Sequence, residues 1–80
     1  MKAIVNISLK KGVLDSQGKA VHHALDALKF EGVEDVRIGK QIVLKLASSD
    51  EASARKEVTE MCESLLANTV IEDYEIELIL

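Results

Sequence analysis

The chain has 80 residues and no proline, is 48% hydrophobic with one phenylalanine and one tyrosine, and carries 14 acidic against 10 basic side chains, a net charge of -4. That length makes one domain, residues 1–80, whose core leaves little margin over chain entropy, so help from other subunits is expected. The acidic balance opposes the counterion release that drives binding to nucleic acid or anionic membrane, and the scarcity of aromatics removes the platforms on which bases stack.

From Lys2 to Lys10 the apolar residues Ala3, Val5, Ile7 and Leu9 alternate with Lys2, Asn6, Ser8 and Lys10, the period-two pattern of a strand with one buried face. Ile4 is the outward exception, a position open to a subunit contact. This opening segment turns polar too early for a signal peptide, and no apolar run approaches the roughly 20 residues of a membrane span. A cytoplasmic, soluble protein without nucleic-acid or membrane partners is expected.

Lys11-Gly12-Val13-Leu14 reads as a loop, and Asp15 as the cap of a helix whose first amides its carboxylate can accept. Val21, Ala24, Leu25 and Leu28 recur at helical spacing, and Gly32 offers a left-handed stop. Gly18 is a poor helix former, so its presence near the helix start points to a close backbone approach.

The middle stretch from Val36 to Leu46 allows two readings. A hairpin turn at Gly39-Lys40 would set Arg37 opposite Ile42 and Asp35 opposite Leu44, mixing polar and apolar residues on both faces. A single strand bent at Gly39 instead puts Val36, Ile38, Ile42, Leu44 and Leu46 on one face with Lys40 the exception. The single strand is preferred. At that length it would project past its own sheet and reach into a second subunit.

Ser48-Ser49-Asp50-Glu51 matches a Ser-x-x-Glu capping box, and Ala54, Val58, Met61, Cys62, Leu65 and Leu66 then form one apolar stripe. Asn68 is a suitable helix stop. Tyr74, Ile76, Leu78 and Leu80 alternate with Glu75, Glu77 and Ile79 in a last strand. The expected fold is α+β, a small two-layer sandwich of order β-α-β-α-β with both helices folded against the long bent strand. It is ferredoxin-like in character and oligomer-forming.

Few residues offer chemistry. His22 and His23 are neighbours on a helix and point apart, so they cannot chelate one metal as an i, i+4 pair can. Cys62 excludes an internal disulfide, and without a nearby histidine or CxxC partner it reads as a core thiol. Glu75 and Glu77 share a strand face, where solvated charges that discourage edge pairing are the simpler reading. Lys10-Lys11-Gly12 and Gly18-Lys19 lack the spacing of a P-loop or dinucleotide fingerprint. Arg37 and Lys40 interrupt the central strand and suit either solvated positions or ion pairs with a partner.

The blocks Leu14-Asp15-Ser16-Gln17-Gly18-Lys19-Ala20-Val21, Val36-Arg37-Ile38-Gly39-Lys40 and Leu65-Leu66-Ala67-Asn68, with Ile71-Glu72-Asp73-Tyr74, closely resemble the PurS family from end to end of the chain. Members are small subunits of phosphoribosylformylglycinamidine synthase, an ATP-dependent amidoligase of purine biosynthesis. The sequence departs from the family at Ser16 and Thr69, where proline is common, which bears on local rigidity and not on chemistry.

The resemblance implies a complex in which a PurL-type synthetase subunit uses ATP and magnesium, and a PurQ-type glutaminase subunit supplies ammonia from glutamine. The PurS-like chain joins the two and supports ammonia transfer. It holds no catalytic residue, cofactor or metal of its own and self-associates into a dimer or tetramer. The matching contact positions are Asp15, Gln17, Gly18, Lys19, Arg37, Gly39 and Lys40. A regulatory module of ACT type, binding an amino acid at a subunit interface, is the alternative reading. An acylphosphatase would need an arginine in the loop after the first strand, and a copper carrier would need CxxC; the chain has neither.

Overall fold

The structure, a computed structural model, describes residues Met1–Leu80. In chain order the elements are β1 (Lys2–Leu9), α1 (Ser16–Ala27), β2 (Gly39–Lys45), α2 (Glu51–Met61) continued by a π turn (Cys62–Leu66), and β3 (Glu72–Ile79). The three strands form one sheet of order β2-β1-β3, antiparallel throughout. This is the expected α+β order.

Alternation along β1 decides the core. Ala3 lies between Leu44 and Leu78, Val5 between Ile42 and Ile76, and Ile7 between Lys40 and Tyr74. These rows face α2, and Ala3, Val5 and Ile7 pack with Val58, Cys62 and Ala67 in one buried cluster. The core is aliphatic, as the composition requires. Lys40, the parity exception, takes its place in the Ile7 row and reaches across β1 to Glu72, with Nζ 3.7 Å from Oε2.

The middle stretch forms no hairpin at Gly39-Lys40, and β2 runs through as one strand. Its ladder begins at Gly39, because β1 supplies its last β2 partner at Ser8. Val36–Ile38, expected as the first half of a bent strand, therefore runs ahead of the sheet without ladder partners. This projecting segment is where α1 docks.

Helix α1 does not lie along the sheet as the second half of a layer; α2 alone covers the core face. Three contacts hold α1 antiparallel to residues 33–38: Asp15 with Ile38, Gly18 with Val36, and His22 with Val33. Helix and returning chain together make an arm. The molecule measures 48 × 26 × 14 Å with a radius of gyration of 16.0 Å, against about 12 Å for a compact chain of this length. The arm leaves Val21, Leu28 and Phe30 exposed, and the sheet face opposite α2 carries Ile4, Val43 and Ile79 uncovered by any helix.

Two helix boundaries differ from expectation. The left-handed residue ending α1 is Lys29, with φ 74°, and not Gly32. Lys29 N donates to Asp26 O and Phe30 N to Leu25 O, the paired bonds that close a helix one residue after its cap. Gly32 stands three residues too late to make them. At α2 the cap is Asp50, whose carboxylate accepts from Ser53 N at 3.3 Å and Ser53 Oγ at 2.6 Å. Ser48 Oγ instead accepts from Asp50 N at 3.2 Å and shapes the turn leading in.

If the β1 rows carry the core, Ile7→Ala should cost about 2–5 kcal/mol in urea unfolding. Leu14→Ala, at a loop position 71% exposed, should stay within about 0.5 kcal/mol of the native chain.

Candidate functional site

The expected contact residues converge where the arm leaves the sheet. Asp15 is 5% exposed, and its carboxylate is shared between two elements. Oδ1 accepts from Gly18 N at 2.7 Å and Oδ2 from Ile38 N at 2.6 Å. The first bond caps α1, and the second ties the returning chain to it. Together the Gly18 and Ile38 amides hold the Asp15 pKa below the ordinary aspartate value against an opposing effect of burial, with a smaller contribution from the Arg37 charge.

Gly18 is buried, and a Cβ there would collide with the Val36 carbonyl oxygen. The close backbone approach read from sequence is therefore real. Gly39 plays the same part at the sheet, where a Cβ would stand 2.7 Å from Ile7 O. Arg37 is engaged within the chain: Nη1 donates to Val13 O at 3.1 Å and Nη2 to Lys10 O at 3.2 Å, fastening the 10–13 loop. Lys10 in turn pairs with Asp73, Nζ to Oδ1, at 2.8 Å.

Asp15, Gln17, Ile38, Gly39, Lys40 and Glu72 border one concavity of about 290 Å³. Gln17 is exposed at its border, and Lys19 is exposed on the first turn of α1 outside it. The structure thus brings Asp15, Gln17, Gly39 and Lys40 together, while Gly18 and Arg37 support the junction from behind. Sequence reasoning missed Glu72, whose Oε1 also accepts from Asn68 N at 2.6 Å. Its signal was there in the lone lysine of an apolar strand face, which asks for a carboxylate across the sheet.

Other polar groups are similarly committed. His22 Nε2 donates to Val33 O at 2.8 Å, which fixes its tautomer, while His23 is exposed. Tyr74 donates to Glu63 Oε2 at 2.8 Å, and that bond raises the phenol pKa. Burial raises the Cys62 thiol in the same direction, away from a nucleophilic thiolate. On the uncovered sheet face Asn6, Ser8, Gln41, Asp73 and Glu75 border an open groove of about 580 Å³, where Gln41 Nε2 donates to Asn6 Oδ1 at 2.9 Å.

The profile of the PurS family, described as phosphoribosylformylglycinamidine (FGAM) synthase, matches residues 2–79. Bacillus subtilis PurS is 54% identical, and its crystal structure superposes with a TM-score of 0.85 over 95% of this chain and 94% of that one. Methanocaldococcus jannaschii PurS, one of the subunits of formylglycinamide ribonucleotide amidotransferase, is 46% identical, with a TM-score of 0.86 over 95% and 92%. A chain of PurLQS from Thermotoga maritima is 30% identical, with a TM-score of 0.87 over 95% and 93%.

The junction yields two tests. Gly18→Ala gains about 1 kcal/mol of helix propensity, yet the methyl has backbone in its way. A net loss of about 1–3 kcal/mol in thermal unfolding is expected. For Asp15 the folded pKa lies below the unfolded value of about 3.9. Its bonds therefore contribute fully above that unfolded value and are lost as pH falls through the lowered folded pKa. Asp15→Asn should flatten the acid limb of a stability-against-pH curve below about pH 4, leaving a residual slope from Asp50, which Ser53 shifts the same way.

Proposed function

The chain belongs to the PurS family of phosphoribosylformylglycinamidine synthase subunits, and on that premise we propose that it is the non-catalytic assembly piece of such a synthase. In this reading a PurL-type synthetase carries ATP and magnesium, a PurQ-type glutaminase releases ammonia from glutamine, and this chain joins them for ammonia transfer. The product is formylglycinamidine ribonucleotide, made from formylglycinamide ribonucleotide. The observation that carries the reading is that a chain of the same fold, aligned over 95% of this one, sits in PurLQS from Thermotoga maritima.

The chemistry of the side chains supports a role without catalysis, cofactor or metal on this chain. Asp15 is spent on two amides, Lys40 on Glu72, and Arg37 on two carbonyls. Each would have to break a structural bond before acting on a substrate. An amino-acid-binding module of ACT type is not favoured, since the relatives are synthase subunits across most of the chain.

Self-association into a dimer or tetramer is part of the same proposal. The arm holds an apolar stripe away from its own sheet, and the open sheet face presents Ile4, Val43 and Ile79 beside charged residues. A second copy that covers these surfaces supplies the burial an 80-residue chain lacks.

The experiment is reconstitution with synthetase and glutaminase subunits. The isolated chain should turn over nothing, and leaving it out should abolish glutamine-dependent synthesis. Full glutamine-dependent activity from the other two subunits alone would sink the assembly role. Light scattering should give two or four times the 8.8 kDa of one chain; a monomer at micromolar concentration would refute self-association.

A further inference from the structure

The end of α2 departs from what its sequence requires for burial. At 100° per residue Leu65 would stand within about 20° of Ala54 around the helix, in the middle of the Ala54-Val58-Cys62 stripe. The structure places Leu65 82% exposed, while Leu66 packs against the core. The cause is the π turn over Cys62–Leu66, closed by Ala67 N donating to Cys62 O at 3.1 Å. The wider turn advances the chain less per residue, so Leu66 swings in and Leu65 swings out. Such single widened turns are frequent at functional sites.

Leu65 does not stand alone. With Met61 and Leu66 it forms the apolar part of a shallow concavity of about 480 Å³, bordered by Glu57, Glu60 and Ser64. Neither Glu57 nor Glu60 is in an ion pair. Of the other charges on this helix, Arg55 turns to Ile76 O at 3.5 Å, Glu63 holds Tyr74, and Lys56, four residues before Glu60, forms no ion pair with it. An apolar seat with a free carboxylate rim asks for an apolar side chain flanked by cations. A second copy using the same patch about a two-fold axis would set Glu57 and Glu60 against themselves.

We propose that this concavity seats an apolar side chain flanked by lysine or arginine on another subunit of the synthase, with Leu65 as the central anchor. The proposal rests on the assembly role argued above and names the surface that performs it. The arm and open sheet face remain for copies of this chain. The two kinds of contact thus occupy different sides of the molecule.

The test measures binding of the full chain to the synthetase and glutaminase subunits by calorimetry. The variants are Leu65→Glu and the double charge reversal Glu57→Lys with Glu60→Lys. Each should weaken assembly by at least about tenfold, the loss expected of a central anchor or its charged rim. Rising salt should weaken the wild-type complex more than the charge-reversed one. Thermal unfolding and oligomeric mass should not move, because Leu65 makes no core contact. Assembly of both variants within about twofold of wild type would overturn the proposal. A change of oligomeric mass in Leu65→Glu would also overturn it, by making the patch a self-contact. A wild-type chain that joins neither subunit would instead overturn the assembly role itself.

Discussion

Everything distinctive about this chain's shape depends on one carboxylate serving two backbone amides. Asp15 accepts from Gly18 N, which starts α1, and from Ile38 N, which belongs to the chain returning to the sheet. A neutral or one-sided cap would start the helix without saying where it goes. Because Oδ2 is bound to residue 38, the helix start is fixed directly ahead of β2, and α1 must run back along residues 33–38. Gly18 then allows the two backbones to approach, and His22 fastens the far end through the Val33 carbonyl. Charge-assisted bonds to backbone amides are among the stronger ones available, and here they act where the arm meets the sheet.

Much of the fold was legible in the residues. Alternation in Lys2–Lys10 and Tyr74–Leu80 located two strands and their inward faces, because a half-buried sheet leaves no other pattern. The parity of residues 36–46 correctly rejected a hairpin at Gly39-Lys40. Asp15 as a cap and Gly18 as a close approach were also readable, since each follows from what that side chain can and cannot do locally. Of the candidate site, the gathering of Asp15, Gln17, Gly39 and Lys40 into one concavity was legible only as a set of residues. Its further wall, Glu72, comes from a strand more than thirty positions beyond Lys40 in sequence; the lone lysine asks for a carboxylate, but no local rule says which one.

What could not be read shares a physical cause: an apolar stripe states that a surface wants cover, not what covers it. The stripe of α1 and the stripe of α2 look alike in sequence. Only α2 is laid on the sheet, because Val58 and Cys62 meet the β1 row while Asp15 directs α1 away. Boundaries fail for a narrower reason. Lys29 accepts a left-handed conformation because two closing bonds follow from it, so the glycine three residues later is not used. Asp50 displaces Ser48 as a cap because it is adjacent to the first helical residue and its carboxylate accepts from both Ser53 N and Ser53 Oγ.

The same reasoning explains how so short a chain can serve as a connector. A compact fold of this size would spend nearly all its apolar residues on one core and keep a polar surface. This chain keeps a core of seven buried apolar residues, packs Ile42, Leu44, Leu66, Tyr74, Ile76 and Leu78 against it, and sets others outward on an arm, an open sheet face and a widened helix end. Each of these is held in place by a backbone-directed bond, from Asp15, from the β1 ladders and from Ala67 respectively. None depends on burying the residues it displays. The fold therefore holds apolar surface outward on backbone-directed bonds, which is the condition a small subunit must meet if another chain is to complete its burial.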